Sequence, residues 1–218
     1  MSTDTFDLSE LTLNDQRKLI NGIVVPRPIA FVSTVGSAGP NVAPFSFFNA
    51  VAVDPCMVMF SIGMPQSSRQ GGEKDTILNL REVPEFVVHL VDEPVAQAMS
   101  DASAEHHRGF NEIEEHGLTS TPSLKVRPPR ILECPIQMEC RVHSIQILGK
   151  APYHMVIGEV LLIHSRIGYV NDRFHVDPGL HRPIARLGGA GLYLKPTDHL
   201  AIPAPKEPPA RQPSKLAE

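Results

Sequence analysis

The residues best suited to chemistry fall between positions 27 and 76. Arg27-Pro28 stands just before an apolar run that closes on Ser33 and Thr34. Ser46-Phe47-Phe48-Asn49 sets hydroxyl, aromatic and amide groups side by side. Ser61 follows, then Ser67-Ser68-Arg69 and Lys74-Asp75-Thr76. Cations, hydroxyls and a helix start all suit a phosphate: the donors satisfy its oxygens and the helix dipole favours negative charge. Singly, each piece also fits a plainer role. Lys-Asp-Thr opens many helices as a cap, and Ser-Phe-Phe-Asn ends many strands in a turn. Together they favour a mononucleotide site.

Other constellations are weaker. Cys134, Cys140 and His143 invite a metal reading, but structural zinc takes close pairs such as Cys-x-x-Cys, and these cysteines stand six apart with no second pair. On one strand that offset puts both on one face, as two small core side chains. Cys56 follows Pro55 and reads as buried. His106-His107 lies in an acidic, polar stretch and reads as solvated surface. His154 and His164, ten apart, share one strand face. There is no G-x-S-x-G elbow, no G-x-G-x-x-G after a strand and no Walker loop.

These residues need a scaffold, and the apolar pattern predicts mostly strands. Asn14 caps a short helix, Asp15 to Ile20, in a polar N-terminal lead (1–20). Ile29–Val35 and Asn41–Ser46 form a hairpin across the turn Gly36-Ser37-Ala38-Gly39. Ala50–Val53 and Met57–Ile62 continue the β pattern around Asp54-Pro55. A helix over Lys74–Arg81, capped by Asp75 or Thr76, ends before Pro84. Glu85–Val91 is a strand, Glu93–Ser100 a second helix, and Ala102–Gly117 a polar surface segment. Two long strands, Ile136–Leu148 and His154–Ile167, flank a hairpin connection at Gly149–Pro152. The first four strands lack crossover helices, so the fold class is mostly β with flanking helices, an antiparallel barrel or sandwich rather than a doubly wound sheet.

Composition narrows the function classes. The chain of 218 residues is 42% apolar with net charge -4 and no basic stripe, so neither disorder nor nucleic-acid binding is expected. The acidic N-terminus and the absence of a long apolar run predict a cytoplasmic protein with no membrane span. Six prolines between Pro196 and Glu218 predict a flexible or PPII-like tail, removable after about Pro205.

Arg27-Pro28-Ile29-Ala30-Phe31-Val32-Ser33-Thr34 resembles the opening motif of the flavin reductase-like family with the FMN-binding split barrel. Asn41-Val42-Ala43-Pro44-Phe45-Ser46-Phe47-Phe48-Asn49 is similar to its second motif. Asp54-Pro55, Val58–Gly63, Lys74–Leu80, Glu85–Val88 and Arg186–Tyr193 follow in family order. The branch resembled includes the reductase component of nitrilotriacetate monooxygenase. The likeness implies one domain over 21–195, a six-stranded antiparallel Greek-key split β-barrel, and a homodimer with FMN near the subunit interface. It also implies hydride transfer from NADH or NADPH to flavin, with a monooxygenase as a further partner; the alternative is a non-catalytic FMN carrier. Carried onto this chain, the flavin phosphate meets Arg27, Ser61, Arg69, Lys74 and Thr76, with Asp75 beside them. The ring lies against Ser46-Phe47-Phe48-Asn49 and the Ser33-Thr34 strand end. Tyr153 or His154 contributes to the nicotinamide face.

Overall fold

A computed structural model describes residues 2–65 and 72–203 of the chain. Helix α1 (Leu13–Ile23) opens it, followed by strands β1 (Arg27–Pro28), β2 (Ala30–Gly36), β3 (Gly39–Phe45), β4 (Phe48–Val53) and β5 (Cys56–Ile62). Helix α2 (Asp75–Glu82) and strand β6 (Glu85–Leu90) come next, then α3 (Ala96–Asp101) and α4 (Glu112–Glu115). The chain continues through β7 (Ser120–Thr121), β8 (Arg130–Ile131), β9 (Ile136–Leu148), β10 (Tyr153–Ser165), β11 (Ala185–Arg186) and β12 (Tyr193–Leu194). Arg69 and residues 204–218 of the tail lie outside the described residues.

Seven strands form one antiparallel sheet in the order β3-β2-β6-β9-β10-β5-β4, one more than the six expected. The two edge strands, β3 and β4, are consecutive in the chain and joined only by Ser46 and Phe47. From Phe45 to Phe48 is three steps along the chain, roughly 10–11 Å at most. The sheet must therefore curl until its edges meet at this corner, where Ser61 N–H of β5 donates to the Phe47 carbonyl (2.9 Å) and extends the β4–β5 pairing by one residue. This is a barrel split along one seam.

Both faces of β2 are covered. Ala30 and Val32 point into the barrel with Phe45, Phe60 and Phe86, while Ile29 and Phe31 pack outside with Met99 and Ile113. That explains a run of buried residues without period-2 alternation. Helix α2 plugs the barrel end with Ile77 and Leu80. In β10, Gly158 leaves space for Phe86, since a Cβ there would fall 2.2 Å from the ring Cζ.

Several expectations need correction. Thr12, not Asn14, caps α1, its hydroxyl oxygen accepting from Asp15 N–H (3.2 Å). Lys74 is the N-cap of α2 and gives no side-chain cap, so neither Asp75 nor Thr76 holds that position. The polar stretch after Ala102 is not all surface, because Glu112 and Ile113 are buried. Cys56 is exposed at the β4–β5 turn. Cys134 precedes β9, so it does not share a strand face with Cys140; the two thiols sit in separate apolar clusters, and burial pushes both pKa values up. No described helix is long and apolar enough to cross a membrane.

Candidate functional site

Beside the corner lies a cavity of about 250 Å³, walled by Asn41, Ala43 and Pro44 of β3, by Lys74–Thr76, and by Ser103–His106 and Glu112. Lys74 projects its ammonium over the Phe45 ring, 6.0 Å from the centroid. Burial lowers its pKa, an effect that nearby Glu105 partly offsets. A buried chain of hydrogen bonds forms the wall. Thr76 Oγ1 donates to Asn41 Oδ1 (3.0 Å), and Asn41 Nδ2 donates to both Glu112 carboxyl oxygens (3.0 and 3.1 Å). Val42 N–H also donates to Glu112 (3.3 Å). Burial nevertheless raises the Glu112 pKa, against those bonds.

Glu73 fixes the approach to Lys74. Its carboxylate accepts from both Arg81 terminal nitrogens and stands 3.4 Å from His154 Nε2. The Arg81 bonds hold its pKa below the usual carboxylate range. The turn before α2 is thereby anchored to the helix itself and to β10.

The structure gathers only part of the expected set. Lys74 and Thr76 line the cavity, with Asp75 beside them, 3.5 Å from Arg108 Nη1. Ser46, Phe47 and Ser61 meet at the corner. Phe48 packs partly on the core, and Asn49 is exposed, its Oδ1 accepting from Ala50 N–H (2.9 Å). Phe47 stacks on Tyr153 with centroids 6.0 Å apart and planes 19° from parallel.

Four assignments fail on geometry. Arg27 is 5% exposed, and its guanidinium donates to the carbonyls of Asn21, Val24 (2.9 Å) and Leu187 (3.3 Å) and to Ser46 Oγ (3.4 Å). Asn21 and Val24 belong to the C-terminal end of α1, whose last carbonyls lack helical partners. Arg27 is a tether for α1, not a phosphate ligand. Ser33 sits mid-strand, fully buried, and donates to the Pro129 carbonyl (2.6 Å). Thr34, equally buried, accepts from Asn79 Nδ2 (3.2 Å), so neither side chain faces a ring. His154 is 5% exposed and turned to Glu73, which removes it from any nicotinamide face. Asn41, His106 and Glu112 were not assigned to the site from the sequence, and the fold alone brings them to Lys74; Glu73, its chain neighbour, was not singled out either, and its ties to Arg81 and His154 are tertiary.

A curled antiparallel sheet, split at one seam, with Lys74 set among the carboxylates of Asp75, Glu105 and Glu112 in a cavity beside the corner, is a split-barrel fold. The chain belongs to the flavin reductase-like family, whose domain matches residues 23–175. It is 39% identical over 180 residues to an uncharacterised protein of Aquifex aeolicus, covering 82% of this chain and 88% of that one. Among solved structures, nitrilotriacetate monooxygenase component B from Bacillus cereus is similar at 31% identity with a TM-score of 0.86, covering 93% of this chain and all of that one. The 2-nitrobenzoate 2-nitroreductase of Pseudomonas fluorescens is similar at 32% identity with a TM-score of 0.84, covering 96% and 100%.

Proposed function

We propose that the protein is an FMN-dependent oxidoreductase that takes a hydride from NADH or NADPH and passes electrons to flavin. The observation that carries this reading is the desolvated Lys74 ammonium at the start of a helix, in a cavity beside the sheet corner. The residues fit a flavin phosphate: Lys74 supplies charge, and the first turn of α2, without a side-chain cap, supplies N–H donors. The Thr76 hydroxyl, already donating to Asn41, holds the cavity wall in place, Ser61 lies at the corner, and the ring rests against Ser46–Asn49. Bound there, FMN supplies an acceptor for hydride from a stacked nicotinamide, so no acid–base side chain is needed. Phe47 and Tyr153 orient the rings and exclude water from that side. Resemblance in sequence and structure to a monooxygenase component supports delivery of reduced flavin to a separate monooxygenase.

The absorption spectrum of the purified protein, followed by anaerobic NAD(P)H titration, tests the reading. Bleaching of the flavin bands is expected. A flavin spectrum unchanged by NADH and NADPH identifies a carrier instead.

The same reading includes a homodimer. Val51 and Val53 on β4, Ile147 and Leu148 on β9 and Ile163 on β10 are half or more exposed, Leu148 slightly less. Apolar side chains gathered on one sheet need cover. Light scattering at micromolar concentration is expected to give twice 23.9 kDa, and a mass of one chain with FMN bound would refute the dimer.

A further inference from the structure

A second cleft, of about 570 Å³, lies on the other side of Phe47. Its floor is the Phe47–Tyr153 stack with Ala151, and its outer wall is Leu8, Leu13 and Ile20. Helix spacing puts Leu13, Arg17 and Ile20 on one face of α1, at i, i+4 and i+7. That helix buries none of its residues: Leu13 is 73% and Ile20 50% exposed. Yet the wall is firmly held. Arg27 ties down the end of α1, and Gly22 meets Gly188 so closely that a Cβ on Gly188 would lie 2.8 Å from Gly22 Cα. Gln16 Nε2 donates to the carbonyls of Leu8 (2.7 Å) and Leu11 (3.0 Å), folding the preceding segment onto the helix.

The floor is equally preformed. A Cβ on Gly63 would fall 2.9 Å from Tyr153 Cε1, so one edge of the tyrosine ring packs on bare backbone while one face stacks on Phe47. The volume lies in the ~300–1,000 Å³ range of small-molecule sites, whereas the Lys74 cavity is smaller.

One charge decides what the cleft would take. Arg17 lines it, and its guanidinium donates to the neutral Asn14 Oδ1 (2.8 Å), with no carboxylate pairing it among the described residues. Lys18, by contrast, is paired with Asp15 (2.9 Å). An aromatic floor, aliphatic walls and a cation without an acidic partner complement a flat ring bearing a carboxylate. We infer that the Phe47–Tyr153 cleft binds a planar aromatic carboxylate, with the ring against Tyr153 and the carboxylate at Arg17. Phe47 belongs to both the cleft and the corner, so such a ligand would abut the flavin ring; that placement, though not the cleft, rests on the flavin reading.

The test uses 2-naphthoate, whose fluorescence is easily read because the full chain has no tryptophan. Saturable binding of one 2-naphthoate per chain is expected, with 2-naphthamide, the neutral analogue, several-fold weaker. Arg17→Gln should weaken naphthoate about tenfold and leave naphthamide unchanged. Tyr153→Ala should weaken both, with circular dichroism verifying the fold of each variant. Absence of binding overturns the inference, whether the cleft is closed by a second copy or simply has no affinity. Equal affinity for both probes, or naphthoate binding unchanged in Arg17→Gln, reduces the site to nonspecific apolar adsorption and also overturns it. A parallel FMN titration separates the two proposals. Lost naphthoate binding with FMN retained defeats the cleft alone, and lost FMN binding with naphthoate retained defeats the flavin reading alone.

Discussion

Lys74→Ala is expected to weaken FMN roughly 10- to 100-fold while leaving riboflavin affinity nearly unchanged. The argument starts from solvation. The Lys74 ammonium has already lost much of its water, over the Phe45 ring and in a wall of buried polar groups. Its lowered pKa means the charged form is held at a cost that an arriving anion would relieve. A charge-assisted hydrogen bond contributes about 1.5–3 kcal/mol, and each 1.4 kcal/mol is tenfold in affinity. Riboflavin lacks the phosphate, so it isolates that contact from stacking at Ser46–Asn49. Fluorescence titration of both flavins gives the answer. FMN affinity equal to the parent's, in a variant with an intact circular dichroism spectrum, removes Lys74 from the site. An equal loss for riboflavin assigns it to the ring or to the fold.

Acidification from neutrality to about pH 4 is expected to cost roughly 3 kcal/mol of stability through one residue, His89. Its imidazole, on β6, is fully buried between Phe31 of β2 and Ile131 of β8. Nε2 accepts from Ile131 N–H (3.0 Å), which obliges Nδ1 to carry the hydrogen and donate to the Phe31 carbonyl (2.8 Å). A second proton would destroy the first of these bonds. Burial chiefly, with Arg130 nearby, lowers the pKa from 6.5 to about 4, against the Phe31 bond. Below pH 6.5 the unfolded chain takes up a proton that the folded chain refuses until about pH 4, so His89 stabilises the fold fully above that window and progressively less within it. Glu112, whose pKa is raised, acts in the opposite sense, while Glu73 and Glu139, held below the usual carboxylate range, act in the same one, so urea midpoints alone would not isolate His89. Imidazole NMR of the folded protein isolates His89. A ring that stays neutral down to about pH 4 supports the assignment, and one that titrates near 6.5 contradicts it.

Much of the fold was legible because its strands announce themselves. β9 spans the expected residues, and β2, β3, β5, β6 and α2 differ by only one or two at their ends. Such boundaries follow from local chemistry: β-branched runs, glycines at the first hairpin, and Pro84 after α2. The corner was legible too, since Ser46 and Phe47 stand between two strand runs. That these two residues join opposite edges of a seven-stranded sheet was not, because edge position depends on which distant strands pair.

The site divides in the same way. Lys74 was identified by its place at a helix start, a local property, and the structure keeps it at a cavity. Arg27 was chosen on the same grounds and lost, because the end of α1 and the Leu187 carbonyl, 160 residues away, arrive at its guanidinium first. Ser33 and Thr34 were lost because β2 is covered on both faces. Glu112 looked like solvated surface in the chain and became the buried acceptor for Asn41. Residue type and local spacing therefore determined where strands, turns and a phosphate-ready helix start lie. Only the folded arrangement decided which cations and hydroxyls remain open to a ligand, since a buried donor bonds to whichever acceptor the distant chain brings, and no local pattern encodes that partner.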